Sequence, residues 1–343
     1  RRSTSAPYRA VLSIHALRLV RTQPRSPKMI TAGEKQTTSQ EENLARRKSF
    51  VGEIPFRFEV DANWARLPEG YSWPEVAAVA CDSKDRVFVF NRGEHPMMVF
   101  DRAGSFLNAW GEGVFARAHG LTIGPDDSVY CTDDLDHTVR KFTADGKLLF
   151  TLGMSGQPSF TGATSIDFRT IQHSGPPFYF PTNLALGPNG DLFISDGYGN
   201  ARIHRFTPDG RLAYSWGEPG SGPGQFRVPH GVAVDRAGTV YVADRENSRI
   251  QMFSSDGKFL EEWREIARPC QIEFDPEGNL VVAELGYRAG MWPGTTAPTA
   301  DESASLTREE NSSPGGEVVK PQRPLAISSR RTISASTRAA ISM

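Results

Sequence analysis

Two histidines stand in the same short context at widely separated points of this chain, His119 in AHGL and His230 in PHGV. A single histidine in an apolar strand is more often a hydrogen-bonded core residue than a ligand. A pair in equivalent settings is different, because imidazoles presented by repeated backbone elements can converge on one ion. Three converging imidazoles would leave a zinc ion open positions from which to polarise a bound oxygen. Two further candidates, Arg92 in FNRGEH and Tyr198 in SDGYGNARI, lie in loops after strand-like runs and have no evident counterpart elsewhere. Both are expected to project from the channel end of the fold, and both could equally be solvated surface groups. His95, His137 and His204 fall later in their segments and His173 falls in an insertion, so these read as solvated or structural. Asp133, Asp196 and Asp244 recur at the ends of strands, where an aspartate ties down a turn through local hydrogen bonds.

The elements that must position these residues form an internal repeat. Copies begin at Val76, Ala118, Pro181 and Pro229, and a fifth begins at Pro269 and stops after PCQIEFDPEGNLVVAELG. Each copy is a series of short apolar runs with period-two alternation, separated by turn signals such as ProAsnGly, ProAspGly and SerAspGly. This pattern predicts a four-stranded antiparallel meander, which cannot bury both faces alone. At about 40 to 45 residues per copy, stacked meanders give an all-β fold of the β-propeller type. The first strand of each copy is then innermost, and alignment puts His119, Thr182, His230 and Cys270 at one position facing the channel. The histidines fall on the second and fourth blades, so a third from a sixth blade would complete convergence on the axis. Trp110 and Trp216, each followed by glycine, and Trp263 in register with them, are expected to pack between blades. The insertion from Met154 to Phe180 could cover the channel mouth or be a passive loop.

Bulk properties agree with a globular chain acting on small partners. Lys and Arg number 39 against 40 acids, which gives no reason to expect a nucleic-acid or membrane-surface footprint. A small molecule or peptide is the expected partner. Cys81, Cys131 and Cys270 are too few and too scattered for a disulfide framework and read as buried free thiols. No apolar run is long enough to span a bilayer, and AVLSIHALRLV, broken by His15 and Arg18, makes a poor secretory core, so a cytoplasmic location is expected. Residues 1–50 read as an N-terminal extension without assigned fold, 51–300 as the propeller and 301–343 as a disordered tail.

The ordered set RGEH, AHGL, SDGYGNARI, GPGQFRVPHG and ADRENSRIQMF, over roughly Tyr71 to Gly290, resembles the peptidyl-α-hydroxyglycine α-amidating lyases and their bacterial NHL-repeat relatives. The resemblance implies a six-bladed β-propeller of NHL-type repeats, a zinc ion held by three histidines and a calcium ion tying blades together. His119 and His230 would be two of the zinc ligands, and the backbone carbonyls of Val79 and Leu121 would meet the calcium. Arg92 would be the catalytic arginine and Tyr198 the catalytic tyrosine. The implied reaction splits a carbinolamide C–N bond to give a peptide amide and glyoxylate.

The sequence departs from this pattern at the last blade, which should carry the third histidine. After Gly290 strand periodicity is lost and no histidine follows. Back-translation of PLAISSRRTISASTRAAISM allows a neighbouring frame to read PGDFFAPHDICVDSRGDIY, which has both a ProHis pair and the strand pattern of a blade. Residues from about Asp301 are therefore expected to be a frameshifted last blade. Two other functions remain open at this point, a non-catalytic propeller binding protein or peptide and a lactonase-like hydrolase with a carboxylate-based metal site.

Overall fold

The computed structural model describes residues 61 and 63–286, except 265, 276 and 277, together with the short strands 20–21, 49–51, 58–60 and 325–327. Four complete four-stranded antiparallel sheets follow one another along the chain. The first contains Val76–Cys81, Val87–Asn91, Met97–Phe100 and Phe106–Trp110, and the second Ala118–Ile123, Val129–Asp133, Thr138–Phe142 and Leu148–Leu152. The third contains Pro181–Leu186, Leu192–Asp196, Arg202–Phe206 and Leu212–Trp216, and the fourth Pro229–Val234, Val240–Asp244, Arg249–Phe253 and Phe259–Trp263. A fifth sheet begins with Pro269–Phe274 and Leu280–Glu284. In every complete sheet strand order follows sequence order, and each first strand neighbours the first strand of the next sheet. The sheets are thus blades of a β-propeller, with their first strands innermost.

Local sequence explains each blade. The third and fourth strands are joined at Gly104, Gly146, Gly210 and Gly257, all at φ between +81° and +90°, the region glycine enters without a Cβ penalty. At Thr143, Thr207 and Ser254 a hydroxyl donates to the aspartate two residues on, fixing the same turn. The core lies between blades. Phe88, Phe90 and Trp110 of the first meet Leu121, Val129 and Phe142 of the second, and Phe193 and Trp216 of the third meet Val232, Val240 and Phe253 of the fourth. The inter-blade role expected of the tryptophans is visible in ring pairs Trp110–Phe142 at 5.0 Å and Trp216–Phe253 at 5.8 Å. Each buried Phe contributes about 1.5–3 kcal/mol, so adjacent blades cannot separate cheaply.

Each inner strand carries a β-bulge at one and the same place. Pairing with the second strand slips between Val76 and Ala78, Ala118 and Leu121, Pro181 and Asn183, Pro229 and Gly231, and Pro269 and Gln271. The residues skipped are Ala77, His119 with Gly120, Thr182, His230 and Cys270. A bulge re-aims the side chain it carries, and here it points that position out of the ladder.

Two expectations need comment. Cys81 is exposed rather than buried, because it ends its strand beside a turn, whereas Cys131 and Cys270 are buried as expected. Within the proposed tail, Leu325–Ile327 forms a short strand running parallel to Leu280–Glu284, and within the N-terminal extension Val20–Arg21 and Ser49–Val51 pair with Phe58–Val60. The remainder of residues 1–50 and 301–343 lies outside the described residues. No helix among the described residues is long and apolar enough to cross a membrane.

Candidate functional site

The bulges of the second and fourth blades bring His119 and His230 together, with ring centroids 5.0 Å apart. Each imidazole is held by the backbone of the following blade. His119 Nδ1 donates to the Thr182 carbonyl at 2.7 Å, and His230 Nδ1 donates to the Cys270 carbonyl at 2.6 Å. A carbonyl only accepts, so the proton of each neutral ring sits on Nδ1 and each Nε2 carries a lone pair. Both lone pairs point at one atom, the Tyr198 hydroxyl, which lies 3.1 Å from His119 Nε2 and 2.8 Å from His230 Nε2. One hydroxyl has one proton and can satisfy one of them.

Protonating a ring would relieve this conflict, but the surroundings oppose it. Burial pushes the His119 pKa below its usual value; Asp134 resists this and Arg92 and Arg117 add to it. His230 is driven well below its usual value, first by burial and then by Arg245 and by His119 itself. Two neutral imidazoles with Nδ1–H anchored and one Nε2 lone pair left over fit part of the coordination shell of a borderline metal such as zinc. No group of three or more His, Cys, Asp or Glu able to hold a metal occurs among the described residues, so this pair is incomplete within them. Val79 and Leu121 occupy equivalent positions, two residues past the bulge, on adjacent inner strands.

Arg92 closes one side of the site. Its Nε donates to the Ala118 carbonyl at 3.0 Å, one residue before His119, and a terminal nitrogen donates to Glu75. A cleft of about 60 Å³ is lined by Arg92 and Arg117 together with Phe115 and Ala118. On the opposite side the Arg245 guanidinium lies 5.3 Å from the Tyr198 ring centroid. Burial opposes its charge, but Tyr198 and Glu246 more than compensate and raise its pKa. Glu246 also accepts from Arg268 at 2.8 Å, so one carboxylate serves two guanidiniums and the rim stays cationic.

The structure thus brings His119, His230 and Tyr198 together, with Arg92 bonded to the carbonyl of the residue before His119. It also corrects the expectation that Arg92 has no counterpart. Asn91 pairs with Val76 as Asp244 pairs with Pro229, so the residues that follow, Arg92 and Arg245, are equivalent positions of the first and fourth blades. Arg245 was missed because the adjacent repeat reads Asp-Arg-Glu-Asn, which looks like an ordinary charged turn. The recurring aspartates reach further than a local turn. Asp133 accepts from the backbone of Ala116 and Arg117, Asp196 from Tyr179 and Asp244 from Arg227, each in the segment that enters the blade's first strand, while Asp133 and Asp244 also accept locally from the Asp136 amide and the Asn247 side chain. Buried His204 bonds Ser215 and Asp196, and His137 accepts from the Phe180 amide at 3.2 Å, both structural roles. The insertion packs against the loop that carries Tyr198. Its last residues, Tyr179 and Phe180, accept from the amides of Gly199 and Tyr198, and Thr161 donates to the Gly199 carbonyl at 2.7 Å.

Four-stranded sheets stacked side by side with their first strands innermost define a propeller repeat protein, and residues 226–253 match the NHL repeat. The chain is 34% identical over 245 residues to NHL repeat-containing protein 3 of Homo sapiens, covering 66% of this chain and 67% of that protein. The chain belongs to the NHL-repeat family. It is also 38% identical over 200 residues to peptidyl-alpha-hydroxyglycine alpha-amidating lyase 1 of Drosophila melanogaster, covering 52% of this chain and 34% of the relative. With the peptidylglycine alpha-amidating monooxygenase of Rattus norvegicus it shares 35% identity over 238 residues, 59% of this chain and 23% of that protein. The chain therefore spans only a minor part of either amidating relative. Among solved structures, a streptogramin B lyase matches with a TM-score of 0.47 and 18% identity over 62% of this chain and 64% of that one.

Proposed function

We propose that this propeller is a metal-dependent lyase that cleaves the C–N bond of a carbinolamide, peptidyl-α-hydroxyglycine or a close analogue, to a peptide amide and glyoxylate. The observation that carries the reading is the convergence of two Nδ1-anchored imidazoles on the Tyr198 hydroxyl, inside a cationic rim. The name of the Drosophila relative supplies the substrate class. His119 and His230 would hold zinc through Nε2, and a third imidazole would come from the last blade that the neighbouring reading frame of residues 324–343 encodes. When bound, zinc supplies Lewis acidity to the substrate oxygen.

The remaining chemistry belongs to side chains of this chain. The carbinol O–H must lose its proton, a C=O forms on the same carbon, the C–N bond breaks and the amide nitrogen gains a proton. Tyr198, within hydrogen-bond reach of both imidazoles, is placed to carry that proton between the two atoms. Arg245 over its ring offsets negative charge developing on the phenol oxygen, while Arg92 binds the substrate carboxylate. Calcium would sit against the carbonyls of Val79 and Leu121, where adjacent inner strands run in the same register.

The test is glyoxylate release from an α-hydroxyglycine-terminated peptide by the chain carrying the alternative-frame last blade, with and without added zinc. Zinc-dependent release that disappears in Tyr198→Phe is the expected result, and no release at any zinc level overturns the reading. A second reading, a binding propeller without chemistry, draws support from the high coverage of NHL repeat-containing protein 3, whose name carries no reaction. Retention of the peptide without turnover and without zinc uptake would favour it.

A further inference from the structure

The residue after each site histidine is a glycine, and neither Gly120 nor Gly231 has the positive φ that would explain it. Space explains both. A Cβ on Gly120 would lie 2.8 Å from the Thr182 carbonyl oxygen and 3.2 Å from Asn183 Cα, and one on Gly231 would lie 3.0 Å from the Cys270 carbonyl oxygen and 3.2 Å from Gln271 Cα. These are backbone atoms, which cannot turn aside as a flexible side chain can. The two oxygens are the acceptors of the two imidazole Nδ1 protons. At the same bulge position of the third and fifth blades the following residues are Asn183 and Gln271, whose side chains bond each other across the fourth blade.

We propose that Gly120 and Gly231 are positioning residues, which let the next inner strand approach closely enough for its carbonyl to fix the Nδ1–H tautomer and the aim of the preceding histidine. The His-Gly step is then one functional unit, with histidine supplying Nε2 and glycine supplying the gap through which the adjacent blade holds the ring. The blades are linked in series. Thr182 Oγ1 lies within bonding distance of the Pro229 carbonyl at 2.9 Å, and Ser195 Oγ, on the next strand of the same blade, donates to the His230 carbonyl at 3.2 Å, so the blade that anchors His119 also supports the backbone of His230. Widening the first gap should disturb its own histidine most.

The inference rests on the imidazole pair and tests separately from the zinc reading. Histidine ring nitrogens report their tautomer in long-range nitrogen–proton NMR spectra of metal-free, 15N-histidine-labelled protein. Wild type should show His119 and His230 both protonated on Nδ1, and a proton on Nε2 of either ring overturns the proposal without any variant. Gly120→Ala should remove the Nδ1–H signature of His119 and leave that of His230, and Gly231→Ala should do the reverse. Zinc affinity, measured with a chromophoric chelator, should fall about 10–100-fold in each, the range for loss of a partner that orients a ligand. Thr122→Val is the control, since it deletes another hydrogen bond between the same two inner strands, Thr122 Oγ1 to the Leu184 carbonyl at 2.7 Å. If Thr122→Val changes the His119 signal as much as Gly120→Ala, or if Gly120→Ala leaves it unchanged, the glycine is only a packing residue.

Discussion

The inner strands of the second and fourth blades carry His-Gly at the bulge where those of the third and fifth carry Thr-Asn and Cys-Gln, and the site is built from that difference. All four place a bulge there. On the second and fourth blades the bulge presents a side chain, His119 or His230; on the third and fifth it presents a carbonyl, Thr182 or Cys270, to the histidine of the blade before. One backbone device therefore presents an imidazole or holds one, according to its residue. Substitution should be costly on one pair of blades and mild on the other.

The largest expected effect follows directly. His119→Ala and His230→Ala should each weaken zinc binding by about 100-fold or more, whereas Cys270→Ala, which keeps the carbonyl, should leave it within about threefold. Equal losses in all three, read by chelator competition, would break the comparison. Next comes the residue the two imidazoles share. Tyr198→Phe should lower glyoxylate release about 10²–10⁴-fold, the range for a positioned proton carrier, while zinc affinity stays level or rises because a competing hydroxyl is gone. Loss of zinc binding in that variant would make Tyr198 structural.

The two equivalent arginines sharpen the comparison further. Arg92→Ala should mainly raise KM, because its contacts are to Glu75 and a backbone carbonyl beside the cleft. Arg245→Ala should lower kcat more than it raises KM, since its guanidinium faces the Tyr198 ring. Steady-state kinetics separate these, and identical KM and kcat changes would deny the two residues different roles. The smallest effect concerns the insertion. His137 must stay unprotonated to accept the Phe180 amide, and burial holds its pKa below the ordinary value of 6.5. A histidine whose folded pKa is depressed adds stability that is complete above 6.5 and fades as pH falls through the depressed value. Its φ of 58° suits asparagine, so His137→Asn should flatten the decline of the thermal midpoint on acidification below 6.5. An unchanged pH profile would remove His137 from that account.

Much of the fold is legible because it is repetitive. Period-two alternation and the Asp-Gly turns mark the strands, and the repeat aligns His119, Thr182, His230 and Cys270 correctly without coordinates. The bulges are not legible, since nothing in AHGL or PHGV distinguishes an extra residue in a strand from a regular one. The carbonyl anchors are hidden for a stronger reason: a backbone oxygen has no residue type to read. Arg245 was legible in principle, since VFVFNR at 87–92 and VYVADR at 240–245 align without a gap, but the loops that follow look different and ladder register makes the equivalence plain. The exposed Cys81 shows the limit of composition, since a thiol at a strand end can face water while Cys131 and Cys270, inside their strands, are buried.

The central claim is that His119 and His230 present Nε2 to one ion. It is tested most directly by titrating zinc into 15N-histidine-labelled protein and following the ring nitrogens. The account predicts that the Nε2 resonances of both histidines move together and stop moving at one equivalent, while both Nδ1 protons stay in place. A response from only one ring, from neither, or with saturation at two equivalents would contradict it.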